Sequence, residues 1–447
     1  MRESARAGLA ELEKERSAYA AALQYADHVA EGAEKDEQKA IGFYIRGDVA
    51  WQEGRLGDMV RQYQEAMQLP ANLPELEQRA HLRIINYLYV VRKDYKEALE
   101  RIGEVLLRYP NDRYSYYARY LEGQCHEALG AWEKAADSYA QVVLSFPESR
   151  FADRKLLRDA LYRLPAALER AGESARAVQA YISAMEKAPD DARAPAARLH
   201  LAECHRKTGD LDRAVGVYRI FLENFPDHPE VIDARLALAE CYLQYYDFDS
   251  ARSQLRLAAS SAIGTESEAA ALSRIAASYV AEAETAPATE AAALRLEAES
   301  HYRVLAQMFP RYQEAYLRLA ELAEMRRDWG EAYRNLSEYV KAASEAADDP
   351  ALALRRAELA GRRSQWGEVL LCLPGPVPET LAGGERARWD FYRAEALRGE
   401  NRLEEAVAAY RQAQRSATPR SRLADEIDRK LRDLDYRRRV AAFSQAP

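Results

Sequence analysis

One spacing recurs through this chain of 447 residues: an alanine, a large apolar residue four positions on, and a proline twelve positions on. It is met at Ala98/Ile102/Pro110, Ala135/Tyr139/Pro147, Ala177/Tyr181/Pro189, Ala214/Tyr218/Pro226 and Ala298/Tyr302/Pro310. The first three gaps are 37, 42 and 37 residues, and the last is 84, roughly two periods. Weaker copies stand at Met59/Tyr63, Ala251/Leu255, Ala332/Leu336 and Ala406/Tyr410. Self-similarity at this period marks a repeat architecture, in which each unit buries its apolar face against the next.

Each unit reads as two helices. Upstream of the alanine lies a turn followed by a large residue, as in Lys93-Asp94-Tyr95, Gly130-Ala131-Trp132, Gly209-Asp210-Leu211, Tyr246-Asp247-Phe248, Asp328-Trp329 and Gln365-Trp366. Before the turn comes a helix with a small residue at one fixed place, as in Leu121-Glu122-Gly123-Gln124-Cys125, Leu201-Ala202-Glu203-Cys204, Leu238-Ala239-Glu240-Cys241 and Leu319-Ala320-Glu321-Leu322. The small residue and the alanine let the two helices approach closely. The proline ends the second helix, because it has no amide hydrogen and disfavours helix in the residue before it.

These positions resemble the tetratricopeptide repeat, with a small residue in helix A, alanine then an aromatic in helix B, and a closing proline. The likeness spans roughly residues 40–419, at a period near 37 rather than 34. It implies an all-α, right-handed superhelical solenoid of antiparallel helix pairs, about nine to ten units long with helical caps. We expect an N-terminal cap at 1–34, with apolar residues Leu9, Leu12, Tyr19, Leu23 and Ala26 on a coiled-coil-like face, and regular repeats at 35–259. The regular copy then fails, and 260–312 reads as an alanine-rich pair of helices, 266–285 and 288–308, split by Thr285-Ala286-Pro287. Repeats resume at 313–372, a Pro/Gly linker fills 373–384, one more repeat follows at 385–419, and a capping helix closes 420–447. The segments Phe146-Pro147-Glu148-Ser149-Arg150-Phe151-Ala152 and Phe225-Pro226-Asp227-His228-Pro229 are similar to those of a bacterial subtype that includes envelope and periplasmic scaffolds.

Composition narrows the function classes. Net charge is −8, and basic runs are short, such as Arg437, Arg438 and Arg439, so a nucleic-acid partner is not expected. Charged residues make up 30% and no uncharged apolar stretch reaches spanning length, so no membrane-spanning helix is expected. Residues 1–20 hold no apolar signal segment, which as the sequence stands points to the cytoplasm, or to the periplasm if an export signal has been removed. Cys125, Cys204 and Cys241 fall at one helix-A position and read as a small apolar slot rather than as ligands. Cys125-His126 and Cys204-His205 diverge by about 100° on a helix. No metal and no cofactor are expected. No nucleophile, base and orienting group stand at a readable spacing, so the chain is read as not an enzyme.

Binding remains. The resemblance implies that helix A lines a concave surface holding a peptide or partner segment, which carries over to Arg83, Tyr87, Tyr117, Tyr120, Gln124, Tyr162, Glu203, Arg206, Glu240, Gln244, Glu321 and Glu358. Two features stand out there. One is the tyrosine cluster Tyr114, Tyr116, Tyr117 and Tyr120, since tyrosine anchors partners with area plus a hydroxyl. The other is an acidic row, Glu203, Glu240, Glu321, Glu358 and Glu395, which would favour a basic or extended protein segment. The expected function is a non-enzymatic protein–protein interaction scaffold or adaptor. An RNA-binding helical-repeat protein and a regulatory or anchoring subunit of an enzyme complex are the alternatives.

Overall fold

The computed structural model describes residues 18–110, 113–145, 154–343 and 348–444. Every regular element among them is helical, so the all-α class holds. Packing divides the chain at the Phe225-Pro226 turn, inside the stretch 35–259 read as one block.

The first unit begins with α1 at 18–32. The earlier part of the expected N-terminal helix, with Leu9 and Leu12, lies outside the described residues. Five helix pairs follow: α2 Asp36–Gln52 with α3 Leu56–Gln68, α4 Pro74–Asn86 with α5 Tyr95–Arg108, α6 Arg113–Ala128 with α7 Trp132–Ser145, α8 Arg154–Arg170 with α9 Ser174–Lys187, and α10 Ala194–Lys207 with α11 Leu211–Asn224. The second unit repeats the scheme with α12 Val231–Gln244 and α13 Phe248–Ser261, α14 Glu266–Thr285 and α15 Ala288–Met308, α16 Gln313–Met325 and α17 Trp329–Ala342, α18 Pro350–Arg362 and α19 Trp366–Cys372, and α20 Gly383–Gly399 and α21 Leu403–Ser416. It closes with α22, Arg422–Ser444. The bounds of α14 and α15 coincide with those read from the alanine-rich sequence.

In four of the pairs the turn is built the same way. Helix A ends on a residue in the left-handed region, such as Lys93 (φ 53°), Gly209 (81°), Tyr246 (59°) or Arg327 (62°). That conformation satisfies the last carbonyls of the helix. An aspartate follows and caps helix B. Asp94, Asp210, Asp247 and Asp328 accept from the amides of Glu97, Arg213, Ser250 and Glu331 at 3.2, 3.3, 3.1 and 2.9 Å. Such a cap contributes about 1 kcal/mol. Helix B ends in one conformation as well. Tyr109, Ala188, Phe225 and Phe309, each before a proline, have φ between −141° and −127° and ψ between 57° and 73°. Leu373 before Pro374 adopts nearly the same geometry and stops α19 after seven residues.

The repeat positions make the core. Ala98, Ile102, Ala135, Tyr139, Ala177, Tyr181, Ala214, Tyr218, Ala298, Tyr302, Ala406 and Tyr410 are all buried. Gly123 explains the small slot directly. A Cβ there would come within 2.6 Å of Cε1 of the Tyr139 ring, and one at Gly47 would come closer still to the ring of Tyr63. All four cysteines are buried, and none forms a disulfide among the described residues. Burial pushes the Cys125 and Cys204 thiols up to about 12. One irregularity was not foreseen: α4 runs on into a π-helical turn, Tyr87–Arg92, which leaves Val90 and Val91 exposed.

Candidate protein-binding face

The acidic positions of helix A have a partner that the sequence did not show. A buried tyrosine hydroxyl needs an acceptor, and the carboxylates provide it. Tyr63 Oη donates to Asp48 Oδ1 at 2.6 Å and Tyr218 Oη to Glu203 Oε2 at 3.3 Å, each across 15 residues. Tyr410 Oη donates to Glu395 over the same separation. Where that position is not acidic, an acid one turn further on serves: Tyr181 Oη donates to Glu169 Oε2 at 3.0 Å across 12 residues.

Each carboxylate then meets a cation, usually on the next helix A. In the first unit Asp48 meets Arg79 at 2.6 Å, Glu127 meets Arg163 at 2.7 Å and Glu169 meets Lys207 at 3.2 Å. In the second unit Glu240 meets Arg274 at 2.8 Å, Glu324 meets Arg355 at 2.8 Å, Glu358 meets Arg388 at 3.3 Å and Glu395 meets Lys430 at 2.9 Å. Glu203 pairs within its own helix with Arg206 at 2.7 Å, and Glu321 with Arg318 at 3.0 Å. All five glutamates of the expected row are thus ion-paired, and the row is not a bare negative stripe. Burial pushes the Glu203 and Glu395 carboxyls up, but hydrogen bonds from Arg206 to the first, and from Tyr410, Lys430 and Arg398 to the second, outweigh it and hold both below the usual range. At Glu358 burial wins and its pKa rises.

The tyrosines divide between core and face. Tyr162 is buried and donates to the carbonyl of Ala188 at 2.8 Å, so it packs between helices. Tyr114 and Tyr116 are half-buried against the hydrophobic clusters of the first unit. Tyr117 and Tyr120 are half-buried and stack with ring centroids 6.4 Å apart. Tyr117 Oη donates to Asn86 at 3.2 Å, and Tyr120 Oη receives Gln124 Nε2 at 3.0 Å and donates to Asp159. Asp159 also accepts Arg163 Nε and Arg193 Nη1, both at 2.6 Å. Burial works against the Asp159 charge, but these donors hold its pKa below the usual range. The result is one polar network across α6, α8 and the start of α10. Sequence reasoning found Tyr117, Tyr120 and Gln124. It missed Asn86, Asp159 and Arg163, each at a helix-A position of a neighbouring repeat, and Arg193, which stands at the N-cap of α10.

The other expected residues fall around this pattern. Arg83 pairs with Asp48, donates to Tyr63 Oη at 2.6 Å and lies 5.8 Å over the Trp51 ring. Tyr87 is half-buried at the start of the π turn, and Gln244 is exposed at the end of α12. In the second unit a cavity of about 220 Å³ opens between α14 and α16, lined by Val280, Ala281 and Glu284 on one side and Arg318, Glu321 and Met325 on the other. It exists because α14, at 20 residues, outruns the 13 of α16. Met325 on its rim is 65% exposed.

A family model described as tetratricopeptide repeat matches residues 87–150 and 162–229, between the end of α4 and the end of α11, where the small slot and the closing proline recur. Residues 87–150 and 162–229 carry tetratricopeptide repeats. The repeats typically serve protein–protein interaction, through the surface that stacked helix pairs present. A tetratricopeptide repeat protein from Parabacteroides merdae ATCC 43184 is similar at 17% identity, over 62% of this chain and 98% of that one, with a TM-score of 0.35. YrrB, described as a TPR protein with an unusual peptide-binding site, is 20% identical over 40% of this chain and 83% of its own, with a TM-score of 0.32. The MamA protein is 17% identical over 42% and 92%, with a TM-score of 0.33. A comparison with curated proteins finds no match. Among the described residues no helix is long and apolar enough to cross a membrane.

Proposed function

We propose that this protein is a non-catalytic scaffold that holds an extended protein segment along the helix-A face. One observation carries the reading. Tyr120 and Gln124 are set by a hydrogen-bonded network to Asp159, Arg163 and Arg193, and Tyr117 by its bond to Asn86 and its stack on Tyr120, while all three remain only half-buried. Anchors already fixed in their rotamers lose little entropy on binding. The cavity beside Glu321, with Met325 at its rim, offers a second, apolar contact on the helix-A face of the other unit.

The ion pairs refine the partner's chemistry. A face whose carboxylates are each answered by Arg or Lys is locally neutral. It recognises a segment through tyrosine area and directed hydrogen bonds, with basic residues of the partner reading single carboxylates such as Glu240 or Glu321 rather than a bulk field. Affinity capture from lysate and from an envelope fraction, with mass spectrometry of what is retained, tests this. Tyr117→Ala combined with Gln124→Ala should release proteins that the parent chain holds, with helix content unchanged by circular dichroism. Retention of the same proteins by the variant, or retention of RNA in their place, would refute the reading.

A further inference from the structure

The crossing between α19 and α20 departs from the repeat. Residues 373–382 run without helix and are fastened in place. Trp389 Nε1 donates to the carbonyl of Gly375 at 3.3 Å, and Leu373, Leu381 and Trp389 share one buried cluster. The crossing thereby walls a cavity of about 340 Å³ whose other sides are α20 and α21. Its apolar lining includes Val377, Leu397 and Ala409.

Two opposite charges line the same space. Asp390 is 3% exposed, and its Oδ2 is buried with no hydrogen-bond partner among the described residues. Arg393 lies one turn along the same face of α20 and forms no ion pair among the described residues. Glu405, at the rim, is held by Arg402 through two hydrogen bonds of 2.8 and 2.7 Å, so its charge is already answered. A buried carboxyl without a partner is costly in a folded chain, and each one calls for an explanation.

We propose that this cavity binds an aliphatic α-amino acid as its zwitterion, with the ammonium on Asp390, the carboxylate on Arg393 and the side chain against Val377, Leu397 and Ala409. A cation alone would meet Arg393 and an anion alone would meet Asp390. An uncharged apolar ligand would leave both unanswered. The volume sits at the lower end of the range for small-molecule sites, roughly 300–1,000 Å³. None of the residues assigned to the helix-A face lines this cavity, so the two sites stand or fall separately.

Titration calorimetry of the full chain with leucine and valine, beside leucinamide, 4-methylpentanoate, lysine and glutamate, tests the site. Leucine or valine should bind, and loss of either charged group from the ligand should weaken binding at least tenfold. Asp390→Asn and Arg393→Gln should each do the same. Circular dichroism checks that the variants fold, and Arg393→Gln, at a half-exposed position, serves if Asp390→Asn does not. No heat with any aliphatic amino acid, leucinamide binding as tightly as leucine, or an Arg393→Gln variant that binds like the parent would each overturn the proposal.

Discussion

Gly103 and Gly123 both sit inside helices of the first unit, and they should answer the same substitution with opposite signs. Alanine is favoured over glycine in a helix interior by about 1 kcal/mol. At Gly103 a new Cβ would meet no heavy atom within 4 Å, so Gly103→Ala should stabilise by about that amount. At Gly123 the Cβ would meet Cε1, Cζ and Cδ1 of Tyr139 at 2.6, 2.8 and 2.9 Å. The Tyr139 ring is fully buried and cannot swing aside into solvent. Overpacking of this kind costs about 1–3 kcal/mol. Taking the upper half of that range, the net for Gly123→Ala is a loss of about 1–2 kcal/mol. The two variants should therefore lie about 2–3 kcal/mol apart. Urea unfolding followed by circular dichroism measures this as midpoints moving in opposite directions at an unchanged slope. Coupling between Gly123→Ala and Tyr139→Leu should appear as non-additivity, because the smaller side chain vacates the contested space. Should Gly123→Ala stabilise as much as Gly103→Ala, the close approach of helices A and B would not be the reason for the small slot.

Glu395 is 7% exposed and holds Tyr410, Arg398 and Lys430 together. Glu395→Ala leaves buried donors unanswered and should cost about 3 kcal/mol in chemical unfolding, whereas Glu405→Ala, on the exposed side of α21, should leave the unfolding midpoint essentially where it is. Burial pushes the Glu169 carboxyl up, but donors from His200, Tyr181 and Lys207 outweigh it and bring it down to about 2. A carboxyl depressed on folding contributes stability above its unfolded value of about 4.3 and loses it as pH falls toward the folded value. The first unit should therefore weaken between about pH 4.3 and pH 2, and Glu169→Gln should flatten that part of its stability profile. A profile equally steep in the variant would place the loss on other carboxylates.

Local chemistry made much of the fold legible. Alanine, aromatic and proline at fixed offsets announce paired helices because close approach, ring burial and the missing amide each act within a dozen residues. The alanine-rich pair and the arrest of α19 at Leu373-Pro374 followed from the same local rules. The function of the acidic row was not legible. Glu240 and Arg274, or Glu127 and Arg163, are a whole repeat apart, and a spacing does not say which side chains turn toward each other. The Asp390 cavity was hidden for a different reason: the wall that closes it is a crossing with no repeat counterpart. The π turn at Tyr87–Arg92 carries no compositional mark at all.

The reach of most helix-A carboxylates to the next repeat bears on how such a chain can change length. Glu395 finds its cation at Lys430 on the terminal helix, just as Glu240 finds Arg274 on the following helix A. The terminal helix thus supplies the charge that one more repeat would have supplied. A duplication or excision spanning a whole period rejoins carboxylate to cation and strands neither, while a gain or loss of a single helix would leave both without a partner. The ion pairs therefore act as a reading frame for recombination, keeping the number of repeats adjustable and their phase fixed.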